Sequence, residues 1–203
     1  MPSVYDIKPR FQALLRPLVR RLAAAGTTAN QVTITAMLVS LVVGLIVGLA
    51  GGTQRWVWAL LPLWLFVRMA LNAVDGMLAR EHGQASTLGA VLNELGDVIA
   101  DAGLYLPLAL TGWFGLWPLS VFVLLAVMTE MTGVIGVQIG ASRHYEGPLG
   151  KSDRALAFGL LGLLLALGLP VGWWLDAVVW LLALLCAWTV YHRARAALHE
   201  RAG

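Results

Sequence analysis

Long apolar runs divide this sequence into segments that are each long enough to cross a lipid bilayer. A membrane-spanning helix needs roughly 20 predominantly apolar residues. Six runs meet this need, at about 30–50, 56–80, 88–110, 116–141, 153–170 and 172–192. The last two are separated only by a turn signal at Gly168-Leu169-Pro170. The pattern predicts an all-α integral membrane protein with six transmembrane helices, in which residues 1–203 form a single membrane domain.

The segment before the first span has a different, amphipathic pattern. On a helix over residues 6–25, four apolar side chains share one face and two arginines lie away from it: Phe11, Leu15, Leu18 and Leu22 against Arg16 and Arg20. Basic amphipathic helices of this kind rest in the headgroup layer of a bilayer. We therefore expect an N-terminal interfacial helix over 6–25, either as an anchor alone or with a part in the chemistry.

Composition supports the membrane assignment. Hydrophobic residues make up 59% of the 203 positions and charged residues 12%, whereas a soluble domain usually has about 25% charged residues. The single cysteine, Cys186, cannot form an internal disulfide. No apolar segment precedes residue 30, so we expect no cleavable signal peptide.

The basic residues are distributed unevenly between the two sides of the predicted bundle. Of 14 Lys and Arg residues, Arg68 lies inside a span, Arg55 lies on one side, and the other twelve lie on the opposite side. The positive-inside rule places that side in the cytoplasm. We expect both termini to lie on the cytoplasmic face of a bacterial inner membrane. The net charge of +3 is a topology signal, so no nucleic-acid partner is expected.

Polar residues between 72 and 101 interrupt segments that are otherwise apolar. Asn72, Asp75, Gly76 and Ala79 share one helical face, because steps of three and four residues return to the same side. Asn93, Asp97 and Asp101 repeat at intervals of four on the next helix. Ionisable groups at membrane depth are costly and therefore indicate a functional site. Clustered carboxylates and amides suit a hard cation such as Mg²⁺, and the sequence has no His or Cys cluster for zinc or haem.

This spacing resembles the signature of the CDP-alcohol phosphotransferases, D-x-x-D-G-x-x-A-R and then, after eight or nine residues, G-x-x-x-D-x-x-x-D. The matching positions are Asn72, Asp75, Gly76, Ala79, Arg80, Gly89, Asn93 and Asp97, with eight residues between Arg80 and Gly89. The sequence departs from the signature at two positions, since Asn72 and Asn93 stand where the family has aspartate.

The resemblance implies a six-span enzyme of phospholipid synthesis that moves a phosphatidyl group from CDP-diacylglycerol to a water-soluble alcohol and releases CMP. The family uses a divalent metal, Mg²⁺ or Mn²⁺, and commonly forms homodimers. By the resemblance, Asp97 is the catalytic base, and the metal ligands are Asn72, Asp75, Asn93 and Asp97. The residues that would line the nucleotide pocket are Asn30, Asp75, Gly76, Ala79, Arg80 and Gly89. The mouth of the site would face the cytoplasm.

The two asparagines leave the catalytic outcome open. Each can offer a carbonyl oxygen but lacks a negative charge, which should weaken metal binding or favour one metal over two. Glu94 lies close to Asp97 on the helical wheel and could supply a missing ligand. The chain could be an enzyme with a remodelled metal site, an enzyme of unusual chemistry, or a protein that binds CDP-lipid and metal without turnover.

Three further charges are expected deep inside the bundle. Arg68, Asp101 and Glu130 belong to three different spans, and unpaired charges at such depth are expensive. We predict that they form one buried network below the metal site, which either orients the metal-binding helices or serves folding alone. In a transporter the same residues would line an ion path, but the broken-helix inverted repeats frequent in transporters are missing.

The loop before the fifth span, SRHYEGPLGKSDRA, is basic. Arg143, Lys151 and Arg154 are expected near the mouth of the site, where they would bind the acceptor or a phosphate group. This favours an anionic or phosphorylated acceptor, with serine still possible. The alternative is that these charges only reflect the positive-inside rule.

Overall fold

The computed structural model describes residues 4–202, and the side chains of 10–201, as a bundle of helices joined by short turns. The seven α-helices are α1 (Val4–Ala24), α2 (Ala29–Ala50), α3 (Leu60–Glu81), α4 (Thr87–Tyr105), α5 (Leu116–Gln138), α6 (Lys151–Ala166) and α7 (Trp174–Ala202). A short 3₁₀ helix over Arg55–Ala59 leads into α3, and another over Leu106–Thr111 extends α4. No strand occurs between residues 4 and 202, so the all-helical fold class is confirmed.

Four helical segments are long and apolar enough to cross a membrane. They are Ala29–Ala50, Arg55–Glu81, Leu116–Gln138 and Trp174–Arg201. α4 and α6 coincide with the third and fifth predicted spans but do not meet this test. α6 has only 16 residues, and the 19 residues of α4 include the charged side chains of Glu94, Asp97 and Asp101. The number of six transmembrane helices therefore remains a prediction.

α2 packs against both α3 and α4, and so it lies between the two helices that carry the signature. Its contact with α4 depends on glycine. A methyl group on Gly44 would lie 1.9 Å from the carbonyl oxygen of Gly103, and one on Gly48 would lie 2.3 Å from that of Pro107. Small residues allow membrane helices to approach this closely. The crossing fixes α2 against α4 and thereby the position of the residues that α2 brings to the site.

α1 packs along the half of α3 that ends at Glu81. The charge distribution predicts that this end of α3 lies on the cytoplasmic side. The Arg16 guanidinium donates from Nε and Nη2 to the Glu81 carboxylate at 3.1 and 2.9 Å. Val19 is buried beside Val74 and Met77 of α3. The helix begins and ends within two residues of the predicted interfacial helix over 6–25. Its contact with a bilayer is still a prediction.

An aromatic core lies one helical turn beyond Asp101. Tyr105 stacks on Phe158 with ring centroids 4.2 Å apart, and Phe122 packs edge-on against Tyr105 at 5.6 Å. These three rings come from α4, α5 and α6, and Cys186 of α7 is buried in the same cluster. The core therefore joins four helices directly beneath the charged residues of the site.

Candidate active site

Thr33 of α2 links the two helices that carry the signature. Its Oγ1 donates a 2.8 Å hydrogen bond to Asp75 Oδ2 on α3. Its methyl carbon lies 3.5 Å from where a Cβ on Gly96 of α4 would be. The sequence analysis missed Thr33, although the residue follows Asn30 by one helical turn and shares its face. The signature residues of α3 and α4 thus meet across α2.

The Asn72 amide lies one turn before Asp75 and contains an unpaired buried atom. Asn72 Nδ2 has no hydrogen-bond partner among the described residues, and such a buried donor is costly. The oxygen and nitrogen of an amide are interchangeable by rotation. With the amide reversed, Oδ1 occupies this position and can serve as a ligand for a cation. The Asp75 side chain beside it is 5% exposed.

Asp97 is held by two cations. The Lys151 ammonium forms an ion pair with Asp97 Oδ2, and Arg68 Nη2 lies 3.4 Å from Asp97 Oδ1. Arg68 Nη2 also donates to the Asp97 carbonyl oxygen at 3.2 Å. Asp97 directly follows Gly96, which lies against the Thr33 side chain that binds Asp75. Asn93 lies one turn before Asp97 on α4 and is partly exposed.

This donor set fits one hard divalent cation. The two carboxylates of Asp75 and Asp97 and the two amide oxygens of Asn72 and Asn93 are ligands of the type that Mg²⁺ and Mn²⁺ accept, with water and substrate phosphate completing the shell. Among the described residues there is no group of three or more His, Cys, Asp or Glu side chains placed for a metal. A site with only two carboxylates favours one cation over two.

The residues expected to bind the nucleotide form two contacts at the same end of the bundle. A methyl group on Gly76 would lie 3.0 Å from Arg80 Nη2, so the Arg80 guanidinium folds back over Gly76. A methyl group on Gly89 would lie 2.8 Å from Asn30 Oδ1 and 3.0 Å from Ser86 Oγ. Ser86 caps α4, because its hydroxyl accepts the Gly89 N–H at 2.9 Å. Ala79 is half-buried on the face of α3 that carries Gly76.

The three deep charges predicted as one network are joined. Arg68 and Asp101 pair directly, and Glu130 is linked to them through a fourth residue. Arg68 Nη1 lies 2.6 Å from Asp101 Oδ1. Arg154 Nη2 lies 3.0 Å from Asp101 Oδ2 and 3.0 Å from Glu130 Oε1. Glu130 thus reaches Asp101 and Arg68 by way of Arg154.

Arg154 lies elsewhere than the sequence suggests. It was expected at the mouth of the site with Arg143 and Lys151, but its side chain is 1% exposed. Its Nε donates to Asp101 and its Nη1 to Thr129 Oγ1, both at 3.0 Å. The reason is that α6 begins at Lys151, so Arg154 lies almost one turn inside the helix and faces α4 and α5. All three of its nitrogen atoms are occupied by protein acceptors.

Arg193 of α7 is a site residue that the sequence analysis treated only as a topology signal. It is 2% exposed, and its Nη1 donates to the Thr129 carbonyl oxygen at 2.6 Å. The same nitrogen lies 3.5 Å from Glu130 Oε2. A signal was available in the sequence: Arg193 continues, at steps of three and four, the buried face of α7 that includes Val179, Cys186 and Thr189.

Glu94 pairs with Arg143 of the loop before α6. Arg143 Nη1 contacts Glu94 Oε1, and Nη2 lies 2.8 Å from Glu94 Oε2. Arg143 Nη2 also lies 3.6 Å from Glu130 Oε2. The hydrogen bond to Glu94 raises the pKa of the Arg143 guanidinium above its ordinary value. Glu94 is therefore engaged by an arginine and does not join the four candidate metal ligands.

Residues 26–191 match the sequence profile of the CDP-alcohol phosphatidyltransferases, which covers most of the chain and includes every residue of the site except Arg193. The chain belongs to this family. It is 43% identical over 196 residues to inner membrane protein YnbA of Escherichia coli K12, covering 97% of this chain and 96% of that protein. It is 30% identical over 191 residues to the phosphatidylinositol phosphate synthase of Mycobacteroides abscessus, covering 92% and 84% of the two chains.

Solved structures share the fold. The phosphatidylinositol phosphate synthase of Mycobacterium tuberculosis with CDP-DAG bound has a TM-score of 0.72 at 22% identity, covering 91% of each chain. The same synthase in complex with manganese and citrate has a TM-score of 0.72 at 20% identity, covering 90% of this chain and 88% of that one. The family match identifies the chain as a transferase of phospholipid biosynthesis. Its apolar helices and its likeness to YnbA support a bacterial inner membrane protein.

Proposed function

We propose that this phosphatidyltransferase moves a phosphatidyl group from CDP-diacylglycerol to the hydroxyl group of a water-soluble alcohol and releases CMP. The observation that supports this proposal is the meeting of the α3 and α4 signature residues around Thr33, which binds Asp75 and lies against Gly96, the residue before Asp97. The CDP-DAG complex of the mycobacterial synthase, which has the same fold, supports the choice of donor.

The reaction exchanges one phosphorus–oxygen bond for another. The acceptor hydroxyl oxygen bonds to the phosphorus that carries diacylglycerol, and the bond from that phosphorus to the bridging oxygen breaks. CMP leaves with the electron pair of the broken bond. The hydroxyl proton passes to the Asp97 carboxylate, which acts as the general base. A carboxylate has about four lone-pair positions, so Asp97 can accept this proton while Lys151 and Arg68 hold its orientation.

We assign a divalent cation, Mg²⁺ or Mn²⁺, to Asn72, Asp75, Asn93 and Asp97. When bound, it neutralises charge on the pyrophosphate and stabilises the leaving group. Thr33 fixes the Asp75 carboxylate through its 2.8 Å hydrogen bond. The manganese complex of the mycobacterial synthase supports a divalent metal in this fold.

The nucleotide is assigned to the two contacts formed by Asn30 with Gly89 and by Gly76 with Arg80. Gly76, Ala79 and Gly89 are small, so a ligand can lie directly against the backbone of α3 and α4. Arg80 is exposed, and its planar guanidinium can form paired hydrogen bonds to a phosphate.

We further propose that six helices cross the membrane, that both termini and the mouth of the site face the cytoplasm, and that the enzyme is a homodimer. The asymmetric distribution of Lys and Arg supports the orientation. The acceptor then reaches Asp97 from the cytoplasm past Arg143 and Lys151, whose side chains are each 24% exposed. Arg154 is too deeply buried to take part in that approach.

The experiment that tests the transfer compares two identical substitutions. Asp97→Asn removes the general base, and we expect release of CMP from CDP-diacylglycerol to fall by at least about 100-fold, the lower range for a lost acid–base group. Asp176→Asn is the matched control, because Asp176 lies in the first turn of α7 and binds the Gly115 N–H at 2.8 Å, away from the site. Equal activity of the two variants would contradict the role of Asp97.

A further inference from the structure

Every basic side chain around the acceptor approach is paired with a carboxylate. The salt bridges form one connected network that contains five cations and four carboxylates: Arg68, Arg143, Lys151, Arg154 and Arg193 with Glu94, Asp97, Asp101 and Glu130. Asp75 adds a fifth carboxylate, because it is bound by Thr33, whose methyl group lies against Gly96, the residue before Asp97. The ten charges therefore sum to zero.

Substrate loading leaves this balance unchanged. On the proposed function, on which this inference rests, a divalent cation brings two positive charges and the donor pyrophosphate brings two negative ones. Within this network no surplus positive charge then remains when the acceptor arrives, and Arg80, a further cation of the site, lies over Gly76 and is assigned to the donor phosphate. A phosphorylated alcohol would add up to two uncompensated negative charges in a partly desolvated space, which is unfavourable.

The network side chains that are exposed enough for an acceptor to touch carry a negative net charge. The network side chains that are more than a tenth exposed are Glu94 (30%), Arg143 (24%), Lys151 (24%), Asp97 (16%) and Glu130 (12%). They comprise two cations and three carboxylates. Arg68, Arg154 and Arg193 are each at most 3% exposed, and all three donate to groups of the protein. The surplus of carboxylates lies toward the acceptor.

Glu94 decides what Arg143 can bind. Both Nη atoms of Arg143 contact the Glu94 carboxylate, and Nη2 also approaches Glu130. A phosphate that bound either Nη atom of Arg143 would have to displace Glu94 and leave two negative groups side by side. The remaining nitrogen, Nε, has no hydrogen-bond partner in the described part of the chain but is buried. A hydroxyl group both donates and accepts, so a polyol can bind the Glu94 and Arg143 pair without separating it.

We propose that the acceptor is a hydroxyl compound without net charge, of the polyol type, and that Glu94 and Glu130 determine this specificity. They do so by neutralising Arg143 and Arg193, the cations that would otherwise attract a phosphate. This differs from the expectation of an anionic or phosphorylated acceptor, which was drawn from the basic residues of the loop and stays a prediction that the following experiment also tests.

A metabolite fractionation tests the charge class without knowing the alcohol. Small molecules from a bacterial extract are separated on an anion-exchange resin, and each fraction is added to the purified enzyme with CDP-diacylglycerol and Mg²⁺ or Mn²⁺. We expect the unretained fraction to support at least about ten times more CMP release than the retained fraction, with a product lipid that contains one phosphorus atom. Activity confined to the retained fraction would overturn the inference and leave the transfer itself intact. Activity in neither fraction would contradict both the inferred acceptor class and the proposed transfer reaction.

Sulfate inhibition isolates the role of Glu94. Because sulfate resembles a phosphate group, we expect it to compete weakly with the acceptor in the wild-type enzyme and about tenfold more strongly in Glu94→Gln, through a change in the apparent KM for the acceptor and not in kcat. Glu130→Gln should act in the same direction. Glu146→Gln is the control, since the Glu146 side chain is 58% exposed and contacts His144, and only the backbone carbonyl of Glu146, which the substitution keeps, accepts from Arg193. Equal sulfate inhibition of wild type and both network variants would overturn the assignment.

Discussion

Arg68 and Asp101 form a buried ion pair between α3 and α4, with Nη1 2.6 Å from Oδ1 and side chains that are 1% and 6% exposed. The same guanidinium reaches Asp97 one turn away. Arg68 therefore connects the residue that we assign as general base to the charge network beneath it, and it holds together the two helices that carry the signature.

Replacing Arg68 should affect both stability and catalysis. Arg68→Leu leaves Asp101 with Arg154 alone and removes one of two cations from Asp97, and breaking a buried pair costs about 3–5 kcal/mol. We expect a lower free energy of unfolding in detergent micelles and slower CMP release by the folded protein. Arg195→Leu, at an exposed position of α7, should change neither.

The two effects can be separated. If folded Arg68→Leu protein released CMP at the wild-type rate, the network would serve folding only. Unchanged unfolding would instead contradict the buried pair itself.

Restoring the two missing acids should tighten cation binding. Asn72→Asp combined with Asn93→Asp adds two negative charges beside Asp75 and Asp97, and one unit charge at 4 Å is worth about 4 kcal/mol at an effective dielectric constant of about 20. Even with large desolvation losses, we expect Mn²⁺ affinity to rise at least about tenfold. Electron paramagnetic resonance of free Mn²⁺ measures this directly. Gln138→Glu, at an exposed position at the end of α5, should leave the affinity unchanged; an unchanged affinity in the double variant would rule out these positions as ligands.

The close contact between α2 and α4 at Gly44 should be disrupted by a larger side chain at this position. Gly44→Ala places a methyl group 1.9 Å from the Gly103 carbonyl oxygen, and overpacking of this kind costs about 1–3 kcal/mol or more. Gly159→Ala is the matched control on α6, because its methyl group would lie at ordinary contact distances of 3.6–3.9 Å. Thermal unfolding of the two variants should differ by several degrees, with Gly44→Ala the less stable. Equal unfolding temperatures would contradict the α2–α4 contact.

His144 in the loop before α6 should titrate above the ordinary histidine range. A hydrogen bond to Glu146 is the main cause of its raised pKa, and a contact to Glu200 adds to it. A raised pKa means that the stabilising contact is complete below the ordinary value of 6.5 and is lost as pH rises through the folded value. Nuclear magnetic resonance of the ring should show this shift, and Glu146→Gln should move the pKa back down. A pKa that Glu146→Gln does not change would contradict the assignment.

The sequence was sufficient for features that depend on local pattern. The approximate positions of the helices, the turn at Gly168 and the order of the signature residues follow from hydropathy and from spacing along one helix, whereas some helix ends differ from the predicted spans by four to ten residues. The partner of a charge on another helix does not follow. Arg154 and Lys151 are three residues apart, yet Arg154 is buried and Lys151 is not, because the start of α6 decides which of them faces α4 and α5. Glu94 was expected from the helical wheel as a possible metal ligand, but it pairs with Arg143, and this pairing depends on the path of a loop that has no periodic pattern.

Acceptor-dependent release of CMP tests the central claim most directly. Purified enzyme in mixed micelles with CDP-diacylglycerol, Mg²⁺ or Mn²⁺ and a pool of small alcohols should release CMP and form an equal amount of a new phospholipid, identified by mass spectrometry. Both products should require the acceptor pool and should disappear together in Asp97→Asn. Metal-dependent binding of CDP-diacylglycerol without release of CMP, whatever the acceptor, would show that the site binds the donor but does not catalyse transfer, and would contradict the proposed function.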